Sequence, residues 1–292
     1  MCYNVRFHPM KATASSSTAP ASAEREKVTV CIIAGNEEKN IRRCLESVRW
    51  ADEIVVVDSF SRDRTFEIAK EYTDRVYQHE WRGYVAQKVL AKSYATKPWI
   101  MFVDADEEVS APLRDEILSL LEKGVPNEIA GFDFPRMVWF LDRWIRHGDW
   151  YPDRKLRLFR SDRGTCGGTE PHDRIYVQGR VGHLRSPLFH YTYDSIEDQF
   201  ETLNRFSRIS AAGQRHRALA TILWHMAMDP PFRFLRCYFL RRGFLDGVPG
   251  FIIASTVAFG TFAKYAKLWE RLHARPAPGQ QTKPEGAKVQ NP

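Results

Sequence analysis

The chain has 292 residues, 43% of them hydrophobic and 27% charged, a formal net charge of +7 and a pI near 9.2. Those values suit a folded globular protein with a sizeable core, and the positive charge favours anionic partners such as nucleic acid, lipid headgroups or nucleotide phosphates. Five scattered cysteines (Cys2, Cys31, Cys44, Cys166 and Cys237) form no CxxC pair, which argues against a disulfide framework or zinc knuckle and fits a reducing cytosol.

Residues 1–27, with "ATASSSTAPASA", have no apolar core of a secretory signal and are expected to be disordered. From residue 28 strands and helices alternate. "VTVCIIA" (28–34) reads as a strand covered on both faces. "NEEKNIRRCLESVRW" puts Ile41, Leu45 and Val48 on one helical stripe, with Asn36 as N-cap and Glu37 and Glu38 in the first turn. "EIVVVD" (53–58) is a second buried strand, "RDRTFEIAKEY" a helix and "DRVYQ" a third strand. Residues 84–96 read as helix, "WIMFVDAD" as a fourth strand, and residues 111–122 as helix. Cys31 and Cys44 fall in apolar patterns and are expected in the core.

Such alternation implies an α/β fold with a mostly parallel sheet and helices on both faces. Ligands of these sheets bind beyond the carboxyl ends of the strands. Three strands end in polar clusters there, at Asn36-Glu37-Glu38, Asp58-Ser59 and Asp104-Ala105-Asp106. Beyond residue 125, "IAGFDFPRMVWF" and "RKLRLFRSD" read as strands around an aromatic-rich link. "GTCGGTEPHDRIYV" reads as a Gly-rich loop leading into a short strand. From about Asp194 the chain turns helical and basic, with eight arginines and one acid, Asp229, between Arg205 and Arg242. The uncharged run 247–263 is at the short limit for spanning a bilayer. With the basic, aromatic segment before it, it suggests a segment bound at an anionic membrane interface. A buried core helix and a solvated basic face are the plainer alternatives. The tail 273–292 is linker-like.

Chemistry concentrates in "WIMFVDADEEV". Asp104 and Asp106 flank one residue, so at an extended strand end both carboxylates can face one ion. Two hard oxygens beside a phosphate suit Mg²⁺ or Mn²⁺; the alternative is a solvated loop whose acids cap the next helix. On the metal reading neither carboxylate needs a protein cation. Glu107 and Glu108 are expected to lead into the helix near Ser110 instead. No P-loop, GxGxxG, GxSxG or DxDxT stretch occurs. A cation therefore has to serve a phosphate held in another way, and a nucleotide diphosphate sugar fits.

"VTVCIIAGNEEKNIRRCLESV", "ADEIVVVDSFSRDRTFEIA" and "WIMFVDADEEVS" resemble the signature blocks of family 2 glycosyltransferases, which have the GT-A (Rossmann-like) fold. "RWIRHGDWYPDRKLRLFR", "PHDRI", "LFHYTYDSIEDQFETLNRFS" and "FLRRGFLDGVPGFIIASTVAFGTFAKYAKLWE" resemble the subgroup that includes lipopolysaccharide core glucosyltransferases. The likeness spans roughly residues 28–272. It implies a catalytic domain over 28–193 and a helical, membrane-associating extension over 194–272. The implied activity is inverting, metal-dependent transfer of a hexose from a nucleotide diphosphate sugar, UDP-glucose-like, to a hydroxyl of a lipid-linked glycan. The implied location is cytoplasmic, peripheral to the inner membrane.

The resemblance also implies roles. Ala34, Asn36 and Glu37 line the uracil and ribose, Asp58 binds the base with Ser61 and Asp63 nearby, and Lys88 lies near the diphosphate. Asp104, beside Ala105, contacts ribose or metal-bound water, and Asp106 is the principal metal ligand. Asp173 is the general base, with His172 orienting it. Single displacement requires a carboxylate opposite the leaving group. Glu170 is the rival base, and an ion pair with Arg174 or Arg154 is the plain alternative for Asp173. His147, Trp150 and Tyr151 face the acceptor; packing is the alternative for the two aromatics. Departures stand out: Phe60 and Arg64 replace two glycines, Asp173 a Glu, and Val89 an Asn. Two other enzyme-like readings stay open: a sugar nucleotidyltransferase, although "CIIAGNEE" has one glycine where a Gly-rich loop is wanted, and a catalytically silent nucleotide-binding homologue. A nucleic-acid-binding module over 205–242 has no recognised motif and leaves the paired acids unexplained, so nucleic acid is not an expected partner.

Overall fold

The computed structural model describes residues 25–170, 172–193, 195–214 and 218–274, with only the backbone of His172. Residues 1–24 and 275–292, most of the two segments expected to be disordered, lie outside the described residues. Residues 25–27 are tied down: Glu26 accepts from Trp99 Nε1 at 3.0 Å and pairs with Arg160 at 3.2 Å.

The first half is a run of β1 (Val28–Ala34), α1 (Ile41–Ser47), β2 (Glu53–Asp58), α2 (Thr65–Lys70), β3 (Val76–Gln78), α3 (Tyr84–Tyr94), β4 (Trp99–Asp104), β5 (Glu107–Val109) and α4 (Ala111–Lys123). β1 is buried at all seven positions, as its unbroken apolar sequence requires. It pairs in parallel with β2 and β4, and β2 with β3. Alternate side chains go to opposite faces. Val28, Val30 and Ile32 pack with Ile41, Leu45, Leu113 and Ile117 on one side. Cys31 and Ile33 pack with Ala91, Phe102 and Phe159 on the other. Both expected core cysteines are fully buried.

The helix after β1 begins later than the sequence suggests. Asn36 is not its N-cap: it sits at φ +57°, and α1 starts at Ile41 behind Asn40. The intervening residues form a loop, for reasons the site makes plain below.

The second half is β6 (Ile129–Phe140), β7 (Arg143–Trp144), a 3-10 turn at Gly148–Trp150, β8 (Asp153–Arg160), β9 (Gly164–Thr169), β10 (His172–Val177), β11 (Arg180–His183) and β12 (Leu188–His190). The main sheet runs β3-β2-β1-β4-β8-β6-β12-β5, with β7 and β11 also on β6. β8 is antiparallel to both β4 and β6. The sheet is thus parallel over its first four strands and mixed beyond. The Gly-rich stretch expected to be a loop is itself a strand: β9 pairs antiparallel with β10 as a separate hairpin.

The C-terminal part is α5 (Ile196–Ala212), α6 (Leu219–Leu235), a π-helical turn Arg236–Leu240, a 3-10 turn Gly243–Asp246 and α7 (Gly247–His273). Ser195 caps α5, its Oγ accepting from Asp198 N–H at 3.1 Å. Pro230 and Pro231 lie inside α6. Ala211, Ile222, Tyr265 and Leu268 join the three helices. Phe140 and Ile145 meet Cys237, Ile253 and Ala254 to fasten them to the sheet. α7 enters that joint closely: a Cβ on Gly250 would stand 1.9 Å from Gly243 O, so only glycine fits.

Candidate active site

Parallel pairing sets Ala34 opposite Asp58, and Ile33 opposite Asp104. The three polar strand ends therefore share one edge, as their sequence pattern predicts. The loops after β1 and β2 are stitched together there. Asn36 Oδ1 accepts from Arg62 N–H at 2.8 Å, and Asn36 N–H donates to Ser61 Oγ at 2.9 Å. Glu37 N–H donates to Thr65 Oγ1 at 2.8 Å and Glu38 N–H to Asp63 Oδ2 at 3.1 Å. These cross-links hold residues 36–38 in a loop, and the Asn36 side-chain oxygen that would have capped a helix is spent on Arg62 N–H instead. Ala34 is buried, and its carbonyl accepts from Ser59 N–H at 2.9 Å.

Asp58 is fully buried. It accepts from the Ser61 hydroxyl, from Ser61 N–H at 3.1 Å and from Gln78 Nε2 at 3.0 Å. It braces the loop from behind rather than projecting into the cleft. Phe60 adopts φ +54° and is 53% exposed, so this non-glycine residue carries a left-handed conformation. Arg64, at φ −81°, does not. Val89 is half exposed on α3.

The end of β4 is densely charged. Arg157 Nη2 donates to Asp104 Oδ2 at 2.6 Å, and Lys88 Nζ stands 2.9 Å from Asp104 Oδ1. The same ammonium donates to Asp173 Oδ2 at 2.8 Å, and Arg157 lies 3.9 Å from that oxygen. Asp104 is thus neutralised from within the chain, contrary to the expectation that an external cation would do so. Burial alone would raise its carboxyl, but Arg157 and then Lys88 outweigh burial and hold it far below the ordinary carboxylate range. Lys88 is 1% exposed. It bridges two acids rather than reaching outward. Asp173 takes neither of the expected arginine partners, Arg174 or Arg154; Arg154 pairs with Asp133 instead.

Glu107 corrects a second expectation. It does not simply lead into a helix: it opens β5, is fully buried, and accepts from Asp104 N–H at 2.9 Å. Its other oxygen lies 3.5 Å from both Arg136 and Arg157. Arg136 in turn donates to Asp153 at 2.7 Å. Glu108 does stay outside this set, accepting from the Tyr191 hydroxyl at 2.7 Å. The helix α4 starts beside Ser110 as expected, and Ser110 caps it, its Oγ accepting from Leu113 N–H at 3.2 Å. Ala105 is buried beneath the turn.

Asp106 stands apart from these cations. His190 Nε2, at the end of β12, lies 3.0 Å from Asp106 Oδ2. No three His, Cys, Asp or Glu side chains among the described residues converge as a ready-made cage. A carboxylate and an imidazole at contact distance are a partial donor set that suits Mn²⁺ or Mg²⁺ when phosphate oxygens and water complete it. Nearby, burial raises the Glu37 carboxyl to about 7, against a lowering hydrogen bond from Asn40, with Asp106 the next contributor. The edge therefore has acid to spare in front of Asp106, and protein cations behind it.

The remaining predicted residues divide. Glu170, the rival base, accepts from Tyr84 N–H at 3.0 Å and Val85 N–H at 2.9 Å, capping α3. His172 pairs through its backbone with Thr169 in the hairpin that carries Asp173. Trp150 packs edge-on to Phe140 and against Tyr193. His147 is held by Asp246, Nδ1 to Oδ1 at 3.0 Å, with its N–H donating at 2.8 Å. Tyr151 is half-buried before a cis Tyr151–Pro152 bond. Arg157, Arg136 and His190 were not singled out from the sequence, and Glu107 was placed outside the site. Arg157 carried the one usable signal, a charge between Leu156 and Leu158 in a strand.

Residues 29–179 match the profile described as Glycosyl transferase family 2. The chain is 32% identical over 254 residues to the lipopolysaccharide core biosynthesis glycosyltransferase LpsC of Rhizobium meliloti, covering 84% of this chain and 93% of that one. It is 30% identical over 255 residues to an uncharacterized glycosyltransferase of Rickettsia typhi, covering 84% and 87%. Among solved structures, the mannosyltransferase PcManGT of Pyrobaculum calidifontis, in complex with GDP-Man and Mn²⁺, aligns over 88% of this chain and 90% of that one. Its identity is 14% and its TM-score 0.48, too slight a likeness to carry substrate or metal across.

Proposed function

The chain belongs to glycosyl transferase family 2, and from that premise we propose that it moves a hexose, with inversion, from a UDP-linked sugar to a hydroxyl of a lipid-linked glycan. The name of the Rhizobium relative supports a lipopolysaccharide core acceptor, and with it action at the cytoplasmic face of the inner membrane. The observation that carries the reading is the bridge Asp104–Lys88–Asp173 at the edge where β1, β2 and β4 end.

In this reading Asn36, Glu37, Ser61 and Asp63 frame the nucleoside, with Asp58 fixing their loop from behind. Asp106 and His190 would hold Mn²⁺ or Mg²⁺. When bound, the ion supplies positive charge to the departing diphosphate. Asp173 is the base. Lys88 grips Asp173 Oδ2, which keeps the carboxylate aimed; Oδ1 makes no hydrogen bond among the described residues and is left to accept a proton. The acceptor oxygen bonds to the anomeric carbon, the bond from that carbon to the diphosphate breaks, and the hydroxyl proton passes to Asp173. Single displacement inverts the anomeric centre.

The helices supply the membrane contact. Gly243–His273 is, among the described residues, the stretch long and apolar enough by length and composition to cross a bilayer, with 39% of its apolar window buried. It packs against α5 and α6, while Trp224, Phe232, Leu240 and Val248 are 60–75% exposed. Arg233, Arg236 and Arg241, in the same stretch of chain, are part-exposed. An interface-bound position suits that combination.

The test is a titration of UDP and UDP-sugars with and without Mn²⁺, read as thermal stability. At about 100-fold saturation, binding adds roughly 2.7 kcal/mol. Asp106→Ala should abolish the metal-dependent shift, and Asp173→Ala should keep it while stopping turnover. A wild-type protein with no metal-dependent shift would sink the donor site; equal loss of binding in both variants would sink the base.

A further inference from the structure

Beneath α7, where the helices meet the sheet, Asp149 in the Gly148–Trp150 turn is surrounded by arginines. Arg241 Nη1 lies 3.1 Å from its Oδ1, Arg236 Nη2 3.6 Å from the same atom, and Arg233 Nη1 3.7 Å from its Oδ2. Asp149 is the only carboxylate in ion-pair contact with these three arginines among the described residues. Its Oδ1 is buried and has no hydrogen bond in spite of them, so the guanidiniums are near it without spending their donors on it. Their side chains are 45%, 28% and 46% exposed. Three guanidiniums against one carboxylate leave two positive charges facing solvent.

The backbone holds this cluster in place. Gly148 N–H donates to Arg241 O at 2.9 Å, and Asp149 N–H donates to Cys237 Sγ at 3.3 Å. Around it Phe232, Leu235, Phe239 and Leu240 are 52–75% exposed. Such a setting is a fixed doubly positive recess inside an apolar surface. A phosphate monoester carries about −1.5 to −2 charge at neutral pH and three acceptor oxygens, and guanidiniums meet it with paired N–H donors. The turn is also tied to the active site, since Trp150 packs on Tyr193, and Asp153, three residues on, pairs with Arg136.

We propose that Arg233, Arg236 and Arg241 bind a phosphate monoester displayed by a lipid at the membrane surface, and so select an anionic lipid-anchored acceptor. The inference rests on the membrane-bound reading above. Its test is flotation of the full chain with phosphatidylcholine vesicles containing either phosphatidylglycerol or phosphatidic acid, matched in surface charge at fixed ionic strength. Wild type should bind the phosphatidic acid vesicles about tenfold more tightly. R236Q/R241Q should lose that preference, and R180Q/R185Q, which removes equal charge from exposed sites outside the helical extension, should keep it. D149N, which leaves the recess a further charge in excess, should strengthen it and serves if the arginine pair fails to fold. Equal binding to both anionic vesicles, or equal loss in the control pair, overturns the site while leaving membrane binding standing. No binding to any vesicle overturns both. Inorganic phosphate that stabilises wild type but not R236Q/R241Q, without a vesicle preference, overturns the lipid as the source.

Discussion

The molecule has two charged clusters built on opposite plans. At the strand edge Lys88, Arg136 and Arg157 are threaded between Asp104, Glu107, Asp153 and Asp173, with hydrogen bonds of 2.6–2.8 Å to Asp104, Asp173 and Asp153. At the helical junction three arginines surround one acid at 3.1–3.7 Å, with no hydrogen bond among them. The first cluster is buried and every ion in it takes part in at least one short hydrogen bond, so it acts as a scaffold even though Asp104 Oδ1, Glu107 Oε1 and Arg157 Nε make none. The second is cation-rich and half open, so it stabilises the fold little and leaves charge for something else. Proximity of opposite charges alone does not reveal which kind is present; burial and hydrogen-bond geometry do.

That contrast can be broken most forcefully at Lys88. Lys88→Met strands two acids around an apolar side chain and should cost about 3–5 kcal/mol in urea unfolding. A cost below about 1 kcal/mol would mean that the bridge is no scaffold. Next comes Asp104→Asn, expected to cost roughly 3 kcal/mol at pH 7 by leaving Lys88 and Arg157 short of a partner. It should also change the acid limb. The folded carboxyl titrates far below the unfolded value of about 3.9, so the unfolded chain binds its proton first. The stabilisation is complete above that value and is lost as pH falls below it. Stability measured from pH 5 to pH 2 should therefore fall less steeply in the Asn variant. At the other cluster, Arg241→Gln should change stability by less than about 1 kcal/mol. A larger loss would make that cluster a scaffold too. The smallest effect is at the rim of the strand edge. Phe60→Gly relieves a left-handed residue that buries little, and should raise the melting free energy by roughly 0.5 kcal/mol.

Much of the first half was legible because its strands are covered on both faces and announce themselves as unbroken apolar runs. The boundaries of β1 and β2 agree with the residues marked from sequence, and the shared edge follows once the strands are parallel. The start of α1 was misplaced because Asn36 satisfies the capping preference locally but spends its side chain on Arg62, in another loop. The hairpin of β9 and β10 was half missed because glycines and threonines give no alternating apolar signal. Arg157, Arg136 and His190 enter from β8, β6 and β12, strands that join the parallel half only through antiparallel or distant pairing. The acids they meet at the end of β4 are far away in sequence, Asp104 and Arg157 by 53 positions and Asp106 and His190 by 84. Short-range periodicity cannot report such meetings.

The two prolines inside α6 set a limit on depth. Neither Pro230 nor Pro231 has an N–H, so the carbonyls of Met226 and Ala227, one turn earlier, lose their ordinary helical donors. In hydrocarbon, backbone acceptors without partners are costly, whereas water or a headgroup can serve them at the interface. At the bilayer surface proposed for this chain, α6 would have to lie at a level where those two carbonyls stay wet, a waterline set by its backbone.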